Sequence, residues 1–153
     1  MPQGLIRASI VVAPLLHEGQ TVGEAVRLLA GQELPALPVV DGAGRLVGIF
    51  GEREFIAALF PQYLGTLRSA AFVRASLDDA LEHRRPCRAE PVSKHMNTEH
   101  VDVPDDVSDV QLAETFLHHR VLIAPVVRDR QPVGVVPRSA FFRALAARLE
   151  QLG

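Results

Sequence analysis

The chain is poor in cysteine, in lysine and in long apolar runs. Its single cysteine, Cys87, cannot form an internal disulfide and leaves no Cys pair for a redox motif or a cysteine-rich zinc site. Lysine occurs once, as Lys94, against 15 arginines. Net charge is only −2 and the pI lies near 6.3, so a broad basic face for nucleic acid is not expected. The longest apolar run near the N-terminus, Ile10 to Leu16, is too short to span a bilayer. It also makes a poor secretory signal: only Arg7 precedes it, and His17-Glu18 follows where small residues would mark cleavage. No lipidation motif is present, and the expectation is a soluble, cytoplasmic protein without nucleic-acid or membrane partners. P-loop, GxGxxG and nucleophile–base spacings are missing as well, so no enzyme is expected.

What remains is an ordinary globular balance, with 48% hydrophobic and 22% charged residues in 153. That length suits one domain or two very small ones, and it buries enough surface, about 70% of that exposed on unfolding, to fold without staples.

The organisation follows from an internal repeat. Pro38-Val39-Val40-Asp41-Gly42-Ala43-Gly44-Arg45-Leu46-Val47-Gly48-Ile49-Phe50 resembles Pro125-Val126-Val127-Arg128-Asp129-Arg130-Gln131-Pro132-Val133-Gly134-Val135-Val136. The match runs on from Glu54–Leu59 to Ala140–Leu145, with 8 of about 21 positions identical and a spacing near 86 residues. Solenoid periods are about 20–50 residues, so this is a duplicated subdomain.

Each unit has the same expected order. An apolar strand opens it, around Ile10–Val12 and Val101–Val103. A helix follows, with Val22, Ala25, Val26, Leu28 and Leu29 as its stripe and Thr21 and Glu24 as a capping box. Its counterpart covers about 108–119. A hairpin comes next, Leu37–Val40 with Arg45–Phe50, and its partner turns at Arg128–Gln131 without a glycine. Helices over about 52–60 and 139–151 close the units, the latter capped by Ser139. Pro38 and Pro125 suit the first residue of a strand. Gly48 and Gly134 sit inside strands, where glycine marks close approach by a backbone or ligand, or tight packing between the repeats. The segment between the units, 61–91, is too apolar for a flexible linker, and Ser76-Leu77-Asp78-Asp79 is expected to start a short helix reaching about Arg84.

Strand, helix, hairpin and helix, used twice, resembles a CBS-domain pair, or Bateman module. The residues that carry the likeness are Leu37-Pro38-Val39-Val40-Asp41 with Gly44–Ile49, and Ala124-Pro125-Val126-Val127 with Pro132–Val136. Lys94-His95-Met96-Asn97-Thr98 is similar to the segment that opens a CBS unit. The resemblance implies an α+β fold of two tandem units related by a pseudo-two-fold axis, each a small mixed sheet with two helices. Unit 1 would span 1–60, a structured helical connector 61–91 and unit 2 92–153. It also implies a homodimer, commonly a flat disc of four units, for which the Phe55/Ile56 and Phe141/Phe142 doublets supply apolar surface.

In such pairs the clefts between units commonly hold AMP, ADP, ATP or S-adenosylmethionine. The family pattern after the hairpin is Ser or Thr, two variable residues, then Asp, whose carboxylate accepts from ribose hydroxyls. Here the first unit supplies Gly51-Glu52-Arg53-Glu54 and the second Pro137-Arg138-Ser139-Ala140. Glu54 therefore stands at the ribose position, Gly51 offers only its backbone N–H, and Arg53, Arg138 and Ser139 are candidate phosphate contacts. Asn97 and Thr98 are further candidates. The bland reading of Glu52, Arg53 and Glu54 is a solvated first helical turn, where the dipole favours acids. Two functions stay open, a regulatory module responsive to an adenosine nucleotide, acting on an unidentified protein partner, and an interaction module whose ligand sites have degenerated.

No metal site is expected. His118 and His119 are adjacent on a helix and point apart, and His95, Glu99 and His100 share a face only if their segment is helical. Cys87 lies among Arg84, Arg85 and Arg88, a setting that lowers a thiol pKa, although a solvated basic turn is the plainer reading.

Overall fold

The computed structural model describes residues 4–60 and 77–153. A short helix, α1 (Gly4–Ser9), precedes the first unit: β1 (Leu16–His17), α2 (Val22–Ala30), β2 (Ala36–Val40), β3 (Leu46–Gly51) and α3 (Glu52–Leu59). Then come α4 (Leu77–Arg84) and two 3-10 turns, Arg85–Ala89 and Val92–Lys94. The second unit follows as β4 (Val103–Pro104), α5 (Asp109–His118), β5 (Ile123–Arg128), β6 (Gln131–Pro137) and α6 (Arg138–Gln151).

Local sequence explains the helix starts. Thr21 caps α2 by accepting from the Glu24 N–H at 3.2 Å. Ser108 and Gln111 form a reciprocal capping box on α5, with bonds of 3.1 and 3.0 Å. Each unit holds a three-stranded sheet with the middle strand parallel to the first and antiparallel to the third. The duplication extends to irregularities: both hairpins carry a register shift at the same place, after Val39 and after Val126.

Pro38 and Pro125 are the third residues of their strands, not the first. The short β1 pairs only with Val39 and Val40, and β4 only with Val126 and Val127, so each proline lies beyond the parallel ladder. The glycine-free turn of unit 2 has two residues, Asp129 and Arg130, at φ of 52° and 67°. A two-residue hairpin needs that left-handed pair, which is unfavourable for arginine. A bond from the Leu46 N–H of unit 1 to the Arg130 carbonyl, 2.8 Å, holds it in place.

The opening segments are exchanged between units. The strand expected around Ile10–Val12 does not join unit 1; Val11 instead bridges to Val135 of β6 through two backbone bonds of 2.8 Å, and α1 packs on α5 and α6. Conversely, Asn97 bridges to Ile49 of β3, Pro91 to Thr21, and Val92 is fully buried in the core of unit 1. This settles the two strand glycines. A Cβ on Gly48 would press against the Asn97 carbonyl and the Met96 side chain, each at 3.0 Å, and one on Gly134 against Ile10 Cγ1 at 2.9 Å. The crossing segments, side chain and backbone together, occupy that space.

Each unit has its own core, Leu16, Leu37, Val39 and Phe50 in the first and Leu112, Val126, Val136 and Phe141 in the second. A third cluster, Ala36, Ile49, Ile123 and Val135, joins the sheets of the two units.

Candidate functional site at the junction of the two units

The closing helices begin alike. Gly51 pairs with Ala36 and is the N-cap of α3; Pro137 pairs with Ile123 and is the N-cap of α6. The first amides that follow are taken by the loops ahead of the middle strands. Glu52 N–H donates to the Pro35 carbonyl at 3.0 Å, and Arg138 N–H to that of Leu122 at 2.9 Å. Glu52 and Arg138 thus occupy equivalent places, one acidic and one basic. They share a groove of about 970 Å³ between the units, with Pro35 and Leu122 beside them.

Gln32, Glu33 and Leu34 of unit 1 form one wall of this groove, and Ala113, Phe116, Leu117, Phe141, Phe142 and Leu145 of unit 2 the other. The Phe116 and Phe141 rings lie 5.7 Å apart and tilted by 37°. The groove therefore has a polar end, with Glu33, Glu52, Arg138 and Ser139, and a broad apolar end.

Of the residues expected from the sequence, Arg138 and Ser139 line this groove; Gly51, Arg53, Glu54, Asn97 and Thr98 do not. Gly51 is buried, and a Cβ there would collide with the Pro35 carbonyl and with Ala36, so no hydroxyl residue fits without a shift. Glu54 reaches back, its Oε1 accepting from the Gly51 N–H at 2.9 Å. Arg53 is exposed. Asn97 lies against β3, with its side-chain oxygen accepting from the Glu99 N–H at 2.9 Å. Sequence reasoning missed Glu33, Pro35 and Leu122; aligning the repeats on Pro38 and Pro125 places Pro35 and Leu122 opposite each other and was the available signal.

Two smaller features flank the junction. A cavity of about 120 Å³ lies between Ala13, Leu15 and Pro38 of unit 1 and Pro132–Val135 of unit 2. A separate groove of about 900 Å³ runs between α2 and the connector, where Arg27, Arg85 and Arg88 face Glu24 and Glu82.

The histidines have separate partners. His95 Nε2 lies 3.2 Å from Glu90, which also bonds Lys94, while His100 Nε2 lies 3.8 Å from Asp102. Among the described residues no group of three His, Cys, Asp or Glu could hold a metal ion. Cys87 is buried rather than in a solvated turn, and burial pushes its thiol up, against the opposing pull of Arg84. Among the described residues no helix is long and apolar enough to cross a membrane.

Residues 11–61 match the CBS domain family. A CBS domain-containing protein of unknown function from Kribbella flavida has a similar structure, with a TM-score of 0.71 and 22% identity over 90% of this chain and 95% of that one. The CBS domain of a membrane protein from Sphaerobacter thermophilus gives 0.72 and 24% over 94% and 88%. The first unit is a CBS domain, and the chain has the fold of a CBS pair. CBSX2, solved in complex with AMP, shares that fold at a TM-score of 0.65 and 21% identity, over 90% of each chain. No curated protein sequence matches this chain. The groove at Glu52 and Arg138 lies where the two units of this fold meet.

Proposed function

We propose that this CBS pair is a regulatory module, not an enzyme, that binds an adenosine-containing nucleotide at the junction of its units. In this reading 1–60 and 92–153 are the two units and 61–91 their connector. The observation that carries it is the groove between them, with Arg138 and Ser139 at the start of α6 beside an apolar wall broad enough for a purine. The AMP complex of a structural neighbour supports the same ligand class. Binding at a junction shifts the relative orientation of the units, which a partner protein can read. Gly51, Arg53, Glu54, Asn97 and Thr98, which lie outside that groove, are proposed as a second set of contacts, with Glu54 at the ribose position at the start of α3. The module works as a homodimer.

Charge selects among the ligands. Glu33 and Glu52 outnumber Arg138 at the polar end, so one phosphate, or the sulfonium of S-adenosylmethionine, is better matched than the three phosphates of ATP. Thermal shift with AMP, ADP, ATP and S-adenosylmethionine tests this. A ligand at 100 times its dissociation constant adds about 2.7 kcal/mol. Arg138→Ala should weaken AMP at least tenfold and adenosine little. No shift with any of the four at millimolar concentration would favour the interaction-module reading, which the missing carboxylate at Ala140 also supports.

A further inference from the structure

The hairpin turns of the two units hold each other. Leu46 opens β3, and its N–H leaves its own hairpin to donate to the Arg130 carbonyl at 2.8 Å. In the other direction the Gln131 side-chain amide reaches the Ala43 carbonyl at 3.5 Å. The repeat explains why this second contact uses a side chain. Leu46 pairs with Val40 as Pro132 pairs with Val127, so Pro132 stands at the place of Leu46 and has no N–H to give. The two turns also differ internally. Asp41 braces the first, its Oδ1 accepting from the Ala43 and Arg45 N–H groups at 2.9 and 3.0 Å. The second carries the left-handed pair Asp129 and Arg130, a conformation that is costly for residues with a Cβ.

This clasp and the groove lie at opposite ends of the same strands. β3 runs from Leu46 at the clasp to Gly51, just before Glu52 in the groove, and β6 from Gln131 to Pro137, just before Arg138. Strands of six and seven residues, at about 3.3 Å per residue, set clasp and groove ~20 Å apart. Midway, Ile49 and Val135 belong to the cluster that joins the sheets. At the groove end, among the described residues, no hydrogen bond or ion pair joins Gln32–Pro35 or Glu52 to α5, Leu122 or Arg138. The units are tied at one end and open at the other. The cavity of about 120 Å³ between Pro38 and Pro132–Val135 leaves the strands room to tilt. We propose that the clasped turns are the hinge about which the two units open and close the groove, fixing its width before a ligand arrives. A filled groove and a closed clasp then favour one another, and linkage makes the effect equal in both directions. When the clasp opens, the second turn relaxes out of its left-handed pair, so the state of the groove is displayed on a distant surface.

The link to a nucleotide rests on the function proposed above, whereas the hinge itself is testable without ligand. Leu46→Pro removes the donor and no bond of its own hairpin, and the second unit already carries proline at that place. Spin labels on Ala30→Cys and Arg143→Cys, exposed positions just outside the two walls, report the groove's width, and the buried Cys87 stays unlabelled. Dilution with unlabelled chain restricts the reading to distances within one copy. The parent should give one narrow distance distribution, and Leu46→Pro and Gln131→Ala each a broader one. Arg128→Ala breaks the ion pair with Asp105 beside the same turn but neither contact with unit 1, and should keep the distribution narrow. AMP should bind Leu46→Pro about fivefold or more weakly than the parent and should narrow that variant's distribution. Melting curves check each fold, and Gln131→Ala, at an exposed position, carries the test should Leu46→Pro not fold. An unchanged distribution in the clasp variants, or equal broadening by Arg128→Ala, would overturn the hinge. Broadening as expected with no AMP bound by the parent would instead overturn the nucleotide reading and leave the hinge standing.

Discussion

At the scale of single residues, Glu54 shows how one side chain can satisfy two readings. Its carboxylate accepts from the Gly51 N–H, an amide at the start of α3 that has no partner within the helix. Glycine has no side chain to return the bond, so only half of a capping box forms, and it depends on Glu54. Removing it should therefore cost stability whether or not a nucleotide binds. Glu54→Ala should lower unfolding free energy by about 1 kcal/mol, the worth of one such bond, whereas Glu54→Gln keeps an acceptor and should lose less than half of that. Urea unfolding without ligand measures both. If Glu54→Ala unfolds at the parent midpoint, the cap contributes nothing and the carboxylate is free for a ribose. Gly51 itself was legible in sequence as a departure from the family's hydroxyl residue. The crowding by Pro35 and Ala36 that demands it was not, because that contact depends on the fold of another strand.

At the scale of elements, the connector is tied to unit 1 through Glu90. Its backbone carbonyl accepts from the Val22 N–H at 2.8 Å, at the start of α2. Its carboxylate gathers Lys94, His95 and Arg84. The Lys94 hydrogen bond, opposed by partial desolvation and aided by His95, holds the Glu90 carboxyl below its ordinary value of 4.5. A depressed folded-state pKa contributes stability above the unfolded value, and that contribution disappears as pH falls through the folded value. The stability difference between the parent and Glu90→Gln should be full at pH 7 and should shrink as pH falls below 4.5, as urea midpoints at successive pH values measure. A difference that persists undiminished at pH 3 would show that the ion cluster is not its source. The elements themselves were largely legible. The helical stripes, the capping residues and the duplicated hairpins are local patterns, and the expected α2, α3, α5 and α6 agree with the structure to within about two residues. α1 was missed because six residues carry too little periodicity, and the exchange of the opening segments because it rests on isolated non-local bridges, one for residues 4–11 and two for residues 91–97.

At the scale of the whole molecule, that exchange makes the two units one cooperative body. Residues 4–11 complete unit 2, where Leu5 and Ile10 pack on the core around Leu112 and Phe141 and the Leu5 N–H donates to Asp109 at 3.2 Å. Residues 91–97 complete unit 1 in return. A shift in one unit is therefore coupled to a segment that belongs in sequence to the other, which the proposed sensing at the junction would use. The same arrangement sets the outcome of a truncation. Deleting residues 1–12 removes α1 and both bonds between Val11 and Val135, so damage should appear first in β6, far along the chain. The ladder of unit 1, from Leu16 onward, keeps all its partners. Amide hydrogen exchange should show the Val135 N–H losing protection in the truncated chain while β2 and β3 stay protected under native conditions. The unfolding midpoint should fall, and the transition should remain single if the central cluster of Ala36, Ile49, Ile123 and Val135 still couples the sheets. A Val135 amide that stays as protected as in the full chain would mean that β6 does not need the N-terminal segment, and the coupling between units would then rest on the central cluster and the clasped turns.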